Sequence, residues 1–132
     1  MSMRRGNAFF TLAILITVMV SGCVAAAAAG AAAGAGGYAW ASGKLTFTTA
    51  HRVAEVHAAA LSAFKDLEID VTGDRTSTLG GKLTGLTTTD EQVTVDLEPV
   101  ATDITKIDIR VGFWGNQYQE AKIADAIQRH LR

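Results

Sequence analysis

The chain has 132 residues, 12 basic and 13 acidic side chains, and a formal net charge of −1. That length accommodates one small hydrophobic core and excludes two. Near-neutral, dispersed charge is a poor match to nucleic acid, and a single cysteine excludes an intramolecular disulfide.

The first segment reads as an address. Met1 to Asn7 carries Arg4 and Arg5 and no acid, and Ala8 to Val20 is an apolar run of 13 residues. This fits the apolar region of a signal peptide and is short for a spanning helix, which needs about 20 residues. Val20-Ser21-Gly22-Cys23 comes next, with two small residues before the lone cysteine. That is the pattern at which a bacterial lipoprotein signal is cut, between Gly22 and Cys23, and the cysteine acylated. Lipidation explains an otherwise odd thiol, because the sulfur becomes a thioether. Two or three acyl chains, at about 0.8 kcal/mol per buried methylene, make a stable anchor in the bilayer. By analogy with enterobacterial lipoproteins, which this segment resembles, Val24 rather than Asp after the cysteine favours the outer membrane over the inner. The competing reading is an uncleaved anchor, since small apolar residues continue to Gly36. With residues 1–22 removed, 110 remain, and ten basic side chains face thirteen acidic ones, for a charge near −3. The positive mean hydropathy comes largely from the leader and the Ala/Gly-rich residues after it.

Residues 23–37 comprise Cys23 and a low-complexity Ala/Gly tract with no side chain able to build a core. One reading is a tether holding the domain off the bilayer. The other notes Gly30-Ala-Ala-Ala-Gly34, which would let helices approach closely within a membrane.

The folded part is expected over residues 38–132. Leu45 and Phe47 alternate with Lys44, Thr46 and Thr48, a strand with one wet face. Thr49 offers a cap, and Val53, Val56, Ala60, Leu61, Phe64 and Leu67 define a helix over about 50–67. Period two returns with Ile69 and Val71, and Gly73-Asp74 marks a bend or bulge. Lys82 to Thr87 reads as a strand in which Gly81 and Gly85 suggest a bulge or a helix close above. Thr89-Asp90-Glu91 is a hairpin loop. Gln92 to Glu98 alternates until Pro99 stops it for want of an N–H. Ile107, Ile109 and Val111 lie on one side of a further strand. After the turn Gly112-Phe113-Trp114-Gly115, Asn116 caps a last helix with Gln119 three residues on. Its apolar stripe is Ile123, Ala124, Ile127 and Leu131, with Tyr118 and Ala121 near the start, while Glu120, Lys122, Asp125 and Arg129 stay wet. The order β-α-β-β-β-β-α predicts an α+β two-layer sandwich: a five-stranded, mostly antiparallel sheet with both helices on one face. The first strand either pairs in parallel through a right-handed crossover or joins an edge.

These residues resemble a group of small bacterial lipoproteins filed under a domain of unknown function. The resemblance rests on the lipobox with its Ala/Gly spacer, Gly43-Lys44-Leu45, Val53 to Lys65-Asp66-Leu67, Val93 to Pro99, and Ile107 to Gly112 running into Gly115-Asn116. The family pattern has Gly-Asp where this chain has Gly115-Asn116, and either side chain can cap. The resemblance implies the location and the fold and brings no known activity.

Chemistry is sparse. His51 and His57 are six apart, about 240° around a helix, so they cannot act as a metal pair, and no metal or cofactor is expected. Asp66, Glu68, Asp70 and Asp74 cluster in sequence without a pocket to shift one of them, so no catalytic residue is assigned and no enzyme is expected. Strand threonines fit β-propensity; a flat Thr-rich face could instead bind a polymer such as peptidoglycan. The remaining candidates are Phe113 and Trp114. Either one ring plugs the end of the core and staples the helix, or the pair forms an exposed tip that binds a partner or enters a membrane. Tyr38 and Trp40, near the tether, are placed at the headgroup level by the same reasoning. The function expected is a non-enzymatic structural or adaptor module with an unidentified envelope partner. The alternative is a periplasm-facing binding module for a lipid or cell-wall fragment.

Overall fold

A computed structural model describes residues 37–132. The expected signal over 1–22, Cys23, and the Ala/Gly tract through residue 36 lie outside the described residues. The described part is an α+β sandwich of one sheet and two helices. Its elements are β1 (Ala39–Ala41), β2 (Lys44–Thr49), α1 (Val53–Asp66), β3 (Asp70–Ser77), β4 (Gly80–Leu86), β5 (Gln92–Ala101), β6 (Ile104–Val111) and α2 (Gln117–His130).

The sheet has six strands, in the order β1-β2-β6-β5-β4-β3, and every neighbouring pair is antiparallel. The expected five omit β1, which is three residues long and exposed throughout, too short for alternation to be read. Ser42 and Gly43, both at positive φ (54° and 71°), make the two-residue turn into β2. Neither expected placement of the Lys44 strand holds. It forms no parallel pair and no edge; it lies between β1 and β6, while β3 occupies the far edge.

The register explains the core. Leu45 faces Ile109 and Phe47 faces Ile107; Val95 and Leu97 meet the same two residues from β5, and Leu83 meets Val95 from β4. All are buried, so one face of the sheet is apolar across four strands. Val56, Ala60, Ala63 and Phe64 of α1 and Ile123, Ala124 and Ile127 of α2 cover that face and are buried with it. Gly85 is where α1 comes closest: a side chain there would strike the Phe64 ring, Ile69 and the Asp70 carbonyl. The expected helix above that glycine is therefore present.

Several local expectations are corrected. Thr49 is the last residue of β2, paired with Thr105, so it cannot cap; α1 begins after Arg52, whose N–H donates to the Glu55 carboxylate at 3.1 Å. Pro99 does not end β5. The strand runs to Ala101, with a register shift between Pro99 and Ala101 that accommodates the missing N–H. The register shift in β3 falls between Val71 and Gly73, where the sequence marks a bend. Val71 is exposed because its strand is the edge and its partner, Gly85, has no side chain to pack against it.

Tyr38 is tied to the folded domain. Its hydroxyl donates to Asp125 Oδ1 of α2 at 2.5 Å, and its ring meets Phe47 edge-on at 5.5 Å. Burial, followed by that hydrogen bond, holds its phenol well above the ordinary tyrosine range. A group whose folded pKa is raised stabilises the fold below its unfolded value, about 10, and loses that contribution as pH rises further. Alkaline unfolding of the wild type above pH 10 should therefore be steeper than that of Tyr38→Phe. The same variant should lose about 0.5–1.5 kcal/mol at neutral pH, measured by urea denaturation. Phe64→Ala should cost about 3–5 kcal/mol in the same measurement, because it opens a void between α1 and Gly85.

Candidate functional site

The corner where β1 turns into β2 and β6 turns into α2 holds the features least explained by packing alone. Gly43 and Gly115 meet there backbone to backbone. A Cβ on Gly43 would overlap the Trp114 carbonyl, and one on Gly115 would overlap the Gly43 carbonyl. Both glycines are at positive φ (71° and 86°), so conformation and space each demand glycine.

Glu120 completes the corner, and here the expectation of an exposed residue is wrong. It is fully buried in the first turn of α2. One carboxylate oxygen, Oε1, accepts from the N–H of Val111 at 3.2 Å and of Asn116 at 3.1 Å. It thus holds both ends of the Gly112–Gly115 turn. Asn116 caps as expected, accepting from the Gln119 N–H at 3.2 Å, but the reciprocal bond to the Asn116 N–H comes from Glu120 instead of Gln119. The other oxygen, Oε2, is the one buried side-chain polar atom without a hydrogen-bond partner among the described residues. A signal exists in the sequence: Glu120 precedes Ile123, Ala124 and Ile127 by three, four and seven residues, on the apolar stripe itself.

The clamped turn carries Phe113 and Trp114 outward. They are 82% and 85% exposed, with rings edge-on at 4.9 Å. The reading in which one ring plugs the core is overturned, because Val111 and the α2 stripe already fill that end. Tyr118 is exposed as well. Beside the turn lies a cavity of about 470 Å³, walled by Trp40, Ser42, Gly43, Trp114, Gln117 and Glu120 among others.

The rest of the surface offers less chemistry. The open sheet face carries charge that pairs with itself: Lys44 with Asp108 and Lys82 with Asp96, each at 3.2 Å, and Lys106 with Glu98. Thr46 donates to Asp108 on the same face. The acids of the sequence cluster are scattered: Asp66 pairs with His130 and Asp74 with His57, each at 2.6 Å. His51 pairs with Glu55 within its own segment. Among the described residues no three His, Cys, Asp or Glu side chains form a metal-binding group. A second cavity, about 650 Å³, lies where α1 begins, between Val53, Ala54, Pro99, Ala101 and the end of β3 at Thr76 to Thr78. Arg52 stands at its wall with its guanidinium donating to Asp103 at 2.7 Å.

A six-stranded antiparallel sheet under two helices, with a glycine-locked aromatic corner, defines a small α+β domain. The chain belongs to the family described as Protein of unknown function (DUF3568), whose model matches residues 7–130. That match runs from Asn7 to His130, so it takes in all but the last two described residues. No curated protein matches the chain.

Glu120→Ala should destabilise the domain by about 2–4 kcal/mol, since it strands the Val111 and Asn116 N–H groups, whereas Glu120→Gln keeps an acceptor and should cost less. Gly115→Ala should cost at least about 2 kcal/mol through strain and overlap. Shifts in the urea midpoint at constant slope check all three.

Proposed function

We propose that the chain is a lipid-anchored protein of the bacterial cell envelope, cut before Cys23 and acylated there. Its folded domain serves as a non-enzymatic adaptor that docks through Phe113 and Trp114. The anchor reading rests on the apolar run Ala8–Val20, the small residues before Cys23, and a family match that takes in both. Val24 after the cysteine favours the outer membrane, with the domain facing the periplasm.

The observation that carries the adaptor reading is the exposure of two large rings on a turn that the backbone holds still. Folding keeps Phe113 and Trp114 in water, although a floppy turn could have folded them down. Rigid aromatic side chains make strong contact residues because little entropy is lost when they dock. The rest of the surface agrees: the core is filled and the open sheet face is internally paired. A second reading, a binding module for a lipid, is favoured by the 650 Å³ cavity beside Pro99 and Val53, whose size falls in the range of small-molecule sites.

Cys23→Ser, or blocking the lipoprotein signal peptidase, should accumulate the uncut chain; an unchanged size in both cases would falsify the anchor. Trp114→Ala should leave stability within about 0.5 kcal/mol of wild type, since the ring touches little. It should also abolish specific crosslinks formed from that corner in native envelopes. Crosslinks that persist unchanged would remove the adaptor role from this tip.

A further inference from the structure

The strand registers give the domain two ends. Ala39 of β1 is level with Thr46, Asp108, Asp96, Lys82 and Arg75 across the sheet. Since β1 runs against β2, Gly37 and Tyr38 lie toward the end at which β2, β3 and β5 finish. The chain from Cys23 therefore enters at the end that carries the β3–β4 turn and the β5–β6 turn. The opposite end carries the Ser42-Gly43 turn, the β4–β5 turn, and Phe113 with Trp114.

Large apolar side chains stand in water at the entry end as well. Leu79 is 87% exposed and Val100 is 61% exposed. Their two turns are neighbours, because a Cβ on Gly80 would lie 3.7 Å from the Pro99 ring. The 650 Å³ cavity opens beside them, walled in part by Val53, Ala54, Pro99 and Ala101. Apolar tips grouped around an apolar hollow mark an interaction surface.

Charge and reach select what covers it. At the entry end the acids are matched: Asp103 pairs with Arg52 and Glu98 with Lys106. Arg75 and Arg132 are exposed there without an ion-pair partner among the described residues, Arg132 lying beside Thr49 at the end of β2. At the opposite end Glu68, Asp70, Asp90 and Glu91 have no ion-pair partner among the described residues, and they outnumber Lys65 and Arg110. An anionic bilayer attracts the first end and repels the second. Cys23 lies fourteen positions before Gly37, a reach of at most about 50 Å. An eight-residue strand such as β6 is about 26 Å long, so seating the Trp114 end on the bilayer would use half of that reach to run back along the sheet.

We propose that the entry end rests on the membrane that holds the anchor, with Leu79 and Val100 dipping among the lipid headgroups and acyl chains. Phe113 and Trp114 are then carried on the far side, facing away from the bilayer. This rests on the anchor reading and adds which face of the domain meets lipid. Two apolar side chains bind a membrane weakly by themselves, and the anchor makes the contact intramolecular, so weak contact suffices.

An acylated Cys23 offers no thiol, so one introduced cysteine takes one label. The full chain carrying Leu79→Cys, Val100→Cys or Phe113→Cys should be labelled with an environment-sensitive fluorophore. It is then added from detergent to preformed vesicles of phosphatidylethanolamine and phosphatidylglycerol. Labels at 79 and 100 should shift to the blue, be quenched by spin-labelled lipid and be shielded from aqueous iodide. The label at 113 should stay open to iodide and untouched by the lipid quencher. With the label moved to Thr102→Cys, the pair Leu79→Glu and Val100→Glu should abolish lipid quenching and leave the thermal midpoint unchanged, because both residues are exposed. Equal iodide access at 79, 100 and 113, lipid quenching at 113 alone, or quenching at 102 unmoved by the two glutamates overturns the proposal. The mass of the purified chain reports acylation separately. Should it show an uncut, unacylated chain, the anchor reading fails, and the labels are compared in a Cys23→Ser background. Lipid quenching at 79 and 100 in that background keeps the membrane-facing end, and its absence overturns it.

Discussion

The contact on which the corner of the molecule depends is the meeting of two glycine backbones, Gly43 and Gly115. Each lies where the Cβ of any other residue would overlap a carbonyl group. Their approach brings the β1–β2 turn against the β6–α2 turn, and so joins the start of the domain to its last helix. Tyr38 makes a second link between the same two parts through Asp125. A three-residue strand at the edge of a sheet has little cohesion of its own, and these two contacts give β1 its position.

Glu120 is the polar counterpart of that contact. Burying a carboxylate is costly, and here two backbone N–H groups and the N-terminus of α2 offset the cost. The turn between β6 and α2 is thereby fixed at both ends, which is why its two aromatic side chains project instead of collapsing. Stability and exposure come from the same arrangement. Elsewhere charge is treated differently: lysines and acids on the open sheet face sit in cross-strand pairs at the surface, where such pairs are worth little energetically but leave no strong field of either sign.

Much of the fold is legible because burial imposes a period. Leu45 and Phe47, Val93 to Leu97, and Ile107 to Val111 announce their strands, and Ile123 to Ile127 their helix, since each segment has one wet and one dry face. Sequence and structure part where that rule is silent or misleading. β1 is too short to have a period. Pro99 obeys its missing N–H by sitting at a register shift, a solution invisible when strand ends are read residue by residue. Thr49 is a good cap by residue type, yet pairing with Thr105 holds it in the sheet. Glu120 lies on the dry stripe of its helix, while its charge argues for water. Phe113 and Trp114 stand out in the sequence, but whether they face in or out depends on how full the core already is.

The sequence by itself suggested a leader cut before Cys23, a reading to be tested, and determined the order and type of the main elements and the sidedness of the sheet. These are local properties: composition, small residues at fixed spacing, and periods of two and 3.6. Tertiary structure alone decided that β2 lies beside β6, that two distant glycines touch, that Glu120 is buried with one oxygen unpartnered, and that Trp40 of β1 and Trp114 of the β6–α2 turn line one cavity. Periodicity records that a face is covered without saying what covers it, so contacts between remote turns leave no mark in a local pattern.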